Sequence, residues 1–95
     1  MVQILGRVSV RDVSQFLGVL STRGAGLGMS HGGRRAQVFR VSGAETSVVL
    51  LLDWESRAAF EGLLADPAVR EMMESSGATA PPEFTIIEKL TELSA

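Results

Sequence analysis

The chain has 95 residues, with nine basic and eleven acidic side chains, a formal charge of −2 and 45% hydrophobic residues. That length supports one domain around one core, and the slight acidic excess excludes a general nucleic-acid binder, whose footprint is basic. With no cysteine there is no disulfide, thiol nucleophile or thiolate-held metal.

The first ten residues, MVQILGRVSV, lack the basic region, apolar run and cleavage site of a signal peptide. The longest apolar run, residues 48–52, is far short of the ~18 residues that span a membrane. A cytoplasmic protein with no membrane or nucleic-acid partner is expected.

Val2, Ile4, Val8 and Val10 alternate with Gln3, Arg7 and Ser9, the period of a strand. Asp12 offers a helix N-cap, and Val13, Phe16, Leu17 and Leu20 follow at i, i+3, i+4 and i+7, one buried helical face. Arg23 and Gly24, a cation in the last turn with glycine beyond it, predict that the helix stops there. Residues 35–41 alternate again, 42–45 (SGAE) read as a turn, and 46–53 (TSVVLLLD) as a second strand, together a hairpin. That second strand is apolar on both faces, which predicts a central position covered on both sides.

Ser56 caps the next helix, with Ala59, Phe60, Leu63 and Leu64 on its apolar face. Asp66 and Pro67 restart it with a fresh cap and a proline at the first helical position. Val69, Met72 and Met73 carry the second stripe, and Gly77 ends it. Residues 80–82 (APP) form an extended connector, and 84–90 (FTIIEKL) the last strand, with Phe84, Ile86 and Leu90 on one side. The order is β-α-β-β-α-β with the second helix split, a single α+β domain of ferredoxin-like class over residues 1–95.

Residues 24–33, GAGLGMSHGG, hold a G-x-S-x-G pattern, a glycine run and the chain's one histidine, His31. A nucleophile elbow sits between a strand and a following helix, and a dinucleotide loop needs the same order. Here a helix precedes and a strand follows, and Ser30 has no second histidine to act as its base. Both readings fail. A mobile connector remains, its glycines supplying backbone freedom, or a lid or pocket rim on which His31 acts as acid or base near neutrality.

Gln37-Val38-Phe39-Arg40, Leu52-Asp53-Trp54-Glu55-Ser56, Phe60, the run DPAVREMM at 66–73, Gly77-Ala78 and Pro82-Glu83 together resemble the antibiotic biosynthesis monooxygenase-like superfamily of dimeric α+β barrel proteins. The resemblance covers residues 35–90 well and the first strand and helix by pattern. It implies a four-stranded antiparallel sheet with helices on one face, two sheets paired as a homodimer, and a hydrophobic pocket between sheet and helices. Its characterised members include cofactor-independent oxygenases of aromatic polyketide-type substrates, haem-degrading enzymes, cyclases and isomerases. Oxygenase and haem-degrading members rely on asparagine, tryptophan and histidine or tyrosine; this chain has neither asparagine nor tyrosine.

The candidate pocket residues are Phe16, Phe39, Arg40, Trp54, Phe60, Met72 and Met73, with His31 the candidate acid/base and no metal or other cofactor expected. For each aromatic and methionine the plainer role is core packing, although methionine also suits an adaptable pocket wall. Arg34, Arg35 and Arg40 form the densest basic cluster, a solvated edge or an anion clamp. Asp53 and Glu55 flank Trp54, with capping or salt bridging as the expected role. Arg7 and Glu88 stand mid-strand and would form a buried pair if both faced inward.

Two other folds share the topology. An RNA-recognition domain needs aromatic residues on a central strand, and TSVVLLLD has none. A small regulatory ligand-binding module is not excluded by topology alone; such modules are usually fused to an enzyme, and a stand-alone chain is expected here. Two functions follow: a small cofactor-independent monooxygenase or cyclase of secondary metabolism acting on a hydrophobic, aromatic substrate, or a non-catalytic ligand-binding or structural homodimer.

Overall fold

The computed structural model describes residues 1–94. Four strands, β1 (Val2–Ser9), β2 (Gly33–Arg40), β3 (Ser47–Trp54) and β4 (Glu83–Ile87), form one antiparallel sheet in the order β2-β3-β1-β4. Helical residues fill the two crossovers: α1 (Val13–Val19), a π-helical turn (Leu20–Gly24) and α2 (Ala25–Ser30) in the first, α3 (Arg57–Ala65) and α4 (Pro67–Ser75) in the second. This is the expected α+β ferredoxin-like arrangement with a split second helix.

Local chemistry accounts for most boundaries. Asp12 accepts a hydrogen bond from the Ser14 backbone N–H at 2.9 Å and starts α1. Ser56 Oγ accepts from Ala59 N at 3.1 Å and starts α3. Asp66 accepts from Ala68 N at 2.9 Å, with Pro67 in the first turn of α4, where its missing N–H costs nothing. Gly77, at φ 84°, follows α4 in the left-handed conformation that glycine adopts without strain.

The alternating burial of β3 sends Val48, Leu50, Leu52 and Trp54 to the helices and Val49, Leu51 and Asp53 to the other face. The core adds Ile4 and Val8 of β1, Val10, Phe16 and Phe60. Phe60 makes edge-to-face contacts with Trp54 and Phe84 at centroid distances of 5.4 and 5.2 Å, a geometry aromatic rings favour. Gly6, opposite Phe84 in β4, lets that ring lie across the sheet, since a Cβ there would stand 2.9 Å from it.

The other face carries Leu5, Phe39, Val49, Leu51 and Ile87, with Leu5 directly opposite Leu51 and Phe39 opposite Val49. None of these five is buried, and Phe39 is 48% exposed. Within the chain, then, β3 is an inner strand covered on one side only, not both.

Three further expectations are corrected. Residues 24–30 are not a loop: from Val13 to Ser30 the chain is helical without a break, its π turn carrying Ser21 and Thr22 hydroxyls that donate back to Leu17 and Gly18 carbonyls at 2.6 and 2.8 Å. The glycine that does end the helix is Gly32, at φ 89°. Gly24 instead permits contact, because a Cβ there would meet Leu20 Cδ1 at 3.1 Å and Met72 Sδ at 3.2 Å. Secondly, β4 stops at Ile87, leaving Leu90 93% exposed and off the strand face. Thirdly, Glu88 therefore lies beyond the strand, and Arg7 sits exposed opposite Glu83 with no buried pair formed.

Among the described residues no helix is long and apolar enough to cross a membrane.

Candidate functional site

A cavity of about 970 Å³ lies between the helix-facing side of the sheet and the helices. Val38, Leu50, Leu52, Trp54 and Phe84 supply its sheet side. Leu17, Leu20, Leu27 and Met29 come from the first helical run, and Phe60, Leu63, Met72 and Met73 from α3 and α4. The site exists because the first crossover stays helical past Gly24. The π turn places Leu20, Ser21 and Gly24 on the cavity, and α2 then adds Leu27 and Met29 to its lining. Such turns recur at functional sites, where the extra residue redirects one face of a helix.

Trp54 anchors this roof. Its ring is 4% exposed, and its indole N–H donates to the His31 carbonyl at 2.7 Å. Backbone passes close to the tip of the ring: a Cβ on Gly28 would stand 3.5 Å from Cη2, and one on Gly33 only 2.8 Å. The glycines read in the sequence as sources of freedom serve here for close approach.

His31 is not among the cavity-lining residues. As C-cap of α2, its Nε2 lies 2.8 Å from Asp66 Oδ2, while the same carboxylate caps α4. The hydrogen bond from His31, then that from the Ala68 N–H, hold the Asp66 carboxyl below its ordinary value against a smaller opposing effect of burial. An ionised carboxylate only accepts, so the proton of this contact is on His31 Nε2. The ring thus ties the end of α2 to the junction of α3 and α4, in place of the expected position facing a substrate.

The other expected site residues divide. Trp54, Phe60, Met72 and Met73 line the cavity together. Phe16 is fully buried in the core but is not on the cavity wall. Phe39 and Arg40 are exposed and do not line it either, because the register of β2 on β3 sends Phe39 to the open face with Val49. Asp53 also belongs to that face, where it accepts a hydrogen bond from Gln3 at 3.2 Å.

The charged residues on the cavity are Arg34, Arg35, Arg70 and Glu74. Sequence reasoning missed Arg70 because it sits on the polar side of α4, where a solvated charge is the default. Leu27 and Met29 were missed as part of the wall because the glycines from Gly24 onward masked the continuing helix.

An open four-stranded antiparallel sheet with helices on one face defines a ferredoxin-like α+β protein. No protein-family model matches the sequence, and no curated protein matches it. Solved structures do. SnoaB, a cofactor-independent oxygenase from Streptomyces nogalater, superposes with a TM-score of 0.78 at 21% identity, over 99% of this chain and 97% of that one. Rv0793 from Mycobacterium tuberculosis gives 0.69 at 21% identity over 98% of both chains. An antibiotic biosynthesis monooxygenase gives 0.65 at 10% identity, over 96% of this chain and all of that one. The fold is that of the antibiotic biosynthesis monooxygenase-like proteins.

Proposed function

We propose that this chain is a cofactor-independent enzyme of the monooxygenase type, active in secondary metabolism, which holds a hydrophobic aromatic substrate between sheet and helices and works as a homodimer. The observation that carries this reading is the cavity. Its volume of about 970 Å³ lies at the upper end of the range for small-molecule sites, about 300 to 1,000 Å³. Its wall is apolar, with the aromatic rings of Trp54, Phe60 and Phe84 along it. The likeness to SnoaB, itself a cofactor-independent oxygenase, supports the reaction class.

Without a cofactor, the substrate must supply the electrons that reduce oxygen. A CH2 group held between two aromatic rings can do so: with O2 it becomes C=O and releases one water. The protein's part is to bind the rings, exclude bulk water and favour the ionised, electron-rich form of the substrate. Homodimerisation rests on the open sheet face, where Leu5, Phe39, Val49, Leu51 and Ile87 form an unburied apolar stripe of the kind that marks an interface.

The test is oxygen uptake by chelator-treated protein supplied with tricyclic aromatics bearing such a CH2. Uptake above the uncatalysed rate supports the reading, and a rate equal to buffer for every substrate that binds contradicts it. A non-catalytic ligand-binding or structural homodimer is favoured by one observation: His31 is engaged by Asp66 and stands off the cavity. Binding without turnover across that series is its expected signature.

A further inference from the structure

We propose that the cavity selects an anionic aromatic ligand, its ionised oxygen received by Arg34 and Arg70 at the rim while its rings occupy the apolar interior. This rests on the ligand-binding reading of the cavity and adds the charge class of what enters it.

Three observations converge. The first is a charge asymmetry. Three of the nine basic side chains line the cavity but only one of the eleven acidic ones, and with Arg35 left out the lining still carries +2 − 1 = +1 in a chain of net −2. The second is that these cations are unspent. Arg70 and Glu74 stand one helical turn apart and Arg35 pairs in register with Asp53, yet among the described residues none of the three arginines forms an ion pair or a side-chain hydrogen bond. A guanidinium beside apolar surface with no carboxylate of its own is a ready partner for an anion, and its fork matches a carboxylate or a pair of phenolate-type oxygens.

The third observation is that Arg34 is placed by the backbone. Gly33 pairs with Trp54 and Arg35 with Asp53, so Arg34 is the extra residue of a β-bulge. Bulges re-aim a side chain beside functional sites. The residue before Arg34, Gly33, runs so close to Gly28 O and Trp54 that an added Cβ would stand 2.8 Å from each. Arg35, by its register, belongs to the open face and is left out of the proposed pair. Arg34 from the β2 edge and Arg70 from α4 thus approach one cavity from two elements, both exposed at its rim.

Trp54 is the one tryptophan, there is no tyrosine, and its ring lies on the cavity, so its fluorescence reports occupancy directly. The experiment titrates the full chain with anthraquinone-2-carboxylate and with the uncharged anthraquinone-2-carboxamide, following quenching of Trp54 at low and moderate salt. The carboxylate is expected to bind about ten- to a hundredfold tighter, the range of a charged hydrogen bond at about 1.5–3 kcal/mol. Arg34→Gln and Arg70→Gln are each expected to remove most of that preference while leaving carboxamide binding unchanged. Equal binding of the two compounds by the unaltered chain would overturn the anion proposal and leave the cavity reading standing. So would a preference that survives both substitutions. If neither compound quenches, the cavity reading fails and this proposal falls with it.

Discussion

Replacing Gly33 with alanine probes the junction on which both the cavity roof and the bulge depend. The added Cβ would stand 2.8 Å from Gly28 O, 2.8 Å from Trp54 Cη2 and 3.0 Å from Gly28 C. Neither neighbour can give way cheaply. The Gly28 carbonyl accepts from the His31 N–H at 3.2 Å at the end of α2, and the Trp54 ring is packed on Phe60 with its N–H bonded to His31 O. Overpacking of this kind costs about 1–3 kcal/mol. For a domain of this size each kcal/mol lowers the melting temperature by about 4–8 °C, so a fall of about 5–20 °C is expected. The assay is thermal unfolding followed by circular dichroism and Trp54 emission at one fixed protein concentration. Gly26→Ala is the control: it lies in α2 with nothing within 4 Å of its Cβ, and alanine in a helix is about 0.5–1 kcal/mol better than glycine. A Gly33→Ala protein melting at the wild-type temperature, or a Gly26→Ala protein losing as much, would refute the packing account.

Phe60→Ala removes a ring that is 2% exposed and bonded edge-to-face to two others, and is expected to cost about 3–5 kcal/mol in urea unfolding; a loss under 1 kcal/mol would place Phe60 outside the core. Asp66, whose carboxyl is held below its ordinary value of 3.8 mainly by His31, contributes stability that is full above that value and is lost as pH falls through the lower, folded one. The stability difference between wild type and Asp66→Asn should therefore shrink below pH 3.8, and a difference that grows on acidification contradicts the assignment. Phe39→Asp places a charge on the edge strand β2, within the apolar stripe of the open sheet face, and should convert the proposed dimer to monomer in sedimentation equilibrium without loss of helical signal. A wild-type monomer would remove the dimer proposal.

Period and punctuation carried the fold a long way. Asp12, Ser56 and Asp66 cap helices because their short oxygens reach backbone N–H groups two or three residues on, and that chemistry is visible in a string of letters. The alternation of β3 is equally visible, although which face finds cover is not. Residues 24–30 were illegible for a physical reason: three alternating glycines are poor helix formers, and what makes them helical is proximity to Met72 and Trp54, which lie 48 and 26 positions downstream of Gly24 and Gly28. Tertiary contact overrode local preference there. Site residues on α3 and α4 could be picked out by their apolar spacing. Phe39 and Arg40 were drawn to the pocket by type alone; the strand register puts Phe39 on the open face opposite Val49, and Arg40, opposite Val48 at the exposed end of β2, lies off the cavity wall. His31 has the chemistry of an acid/base, and its contact with Asp66, 35 residues away, could not be read from the sequence.

The central claim is that the cavity receives an aromatic molecule, and thermal unfolding with an uncharged tricyclic aromatic tests it most directly. At a ligand concentration about a hundredfold above its dissociation constant the gain is about 2.7 kcal/mol, which corresponds to a rise of about 10–20 °C. A saturable rise of that order, abolished when Leu52→Arg puts a charged side chain into the apolar floor, is the predicted result. An unchanged melting temperature across tricyclic, bicyclic and quinone ligands at their solubility limits would contradict the account.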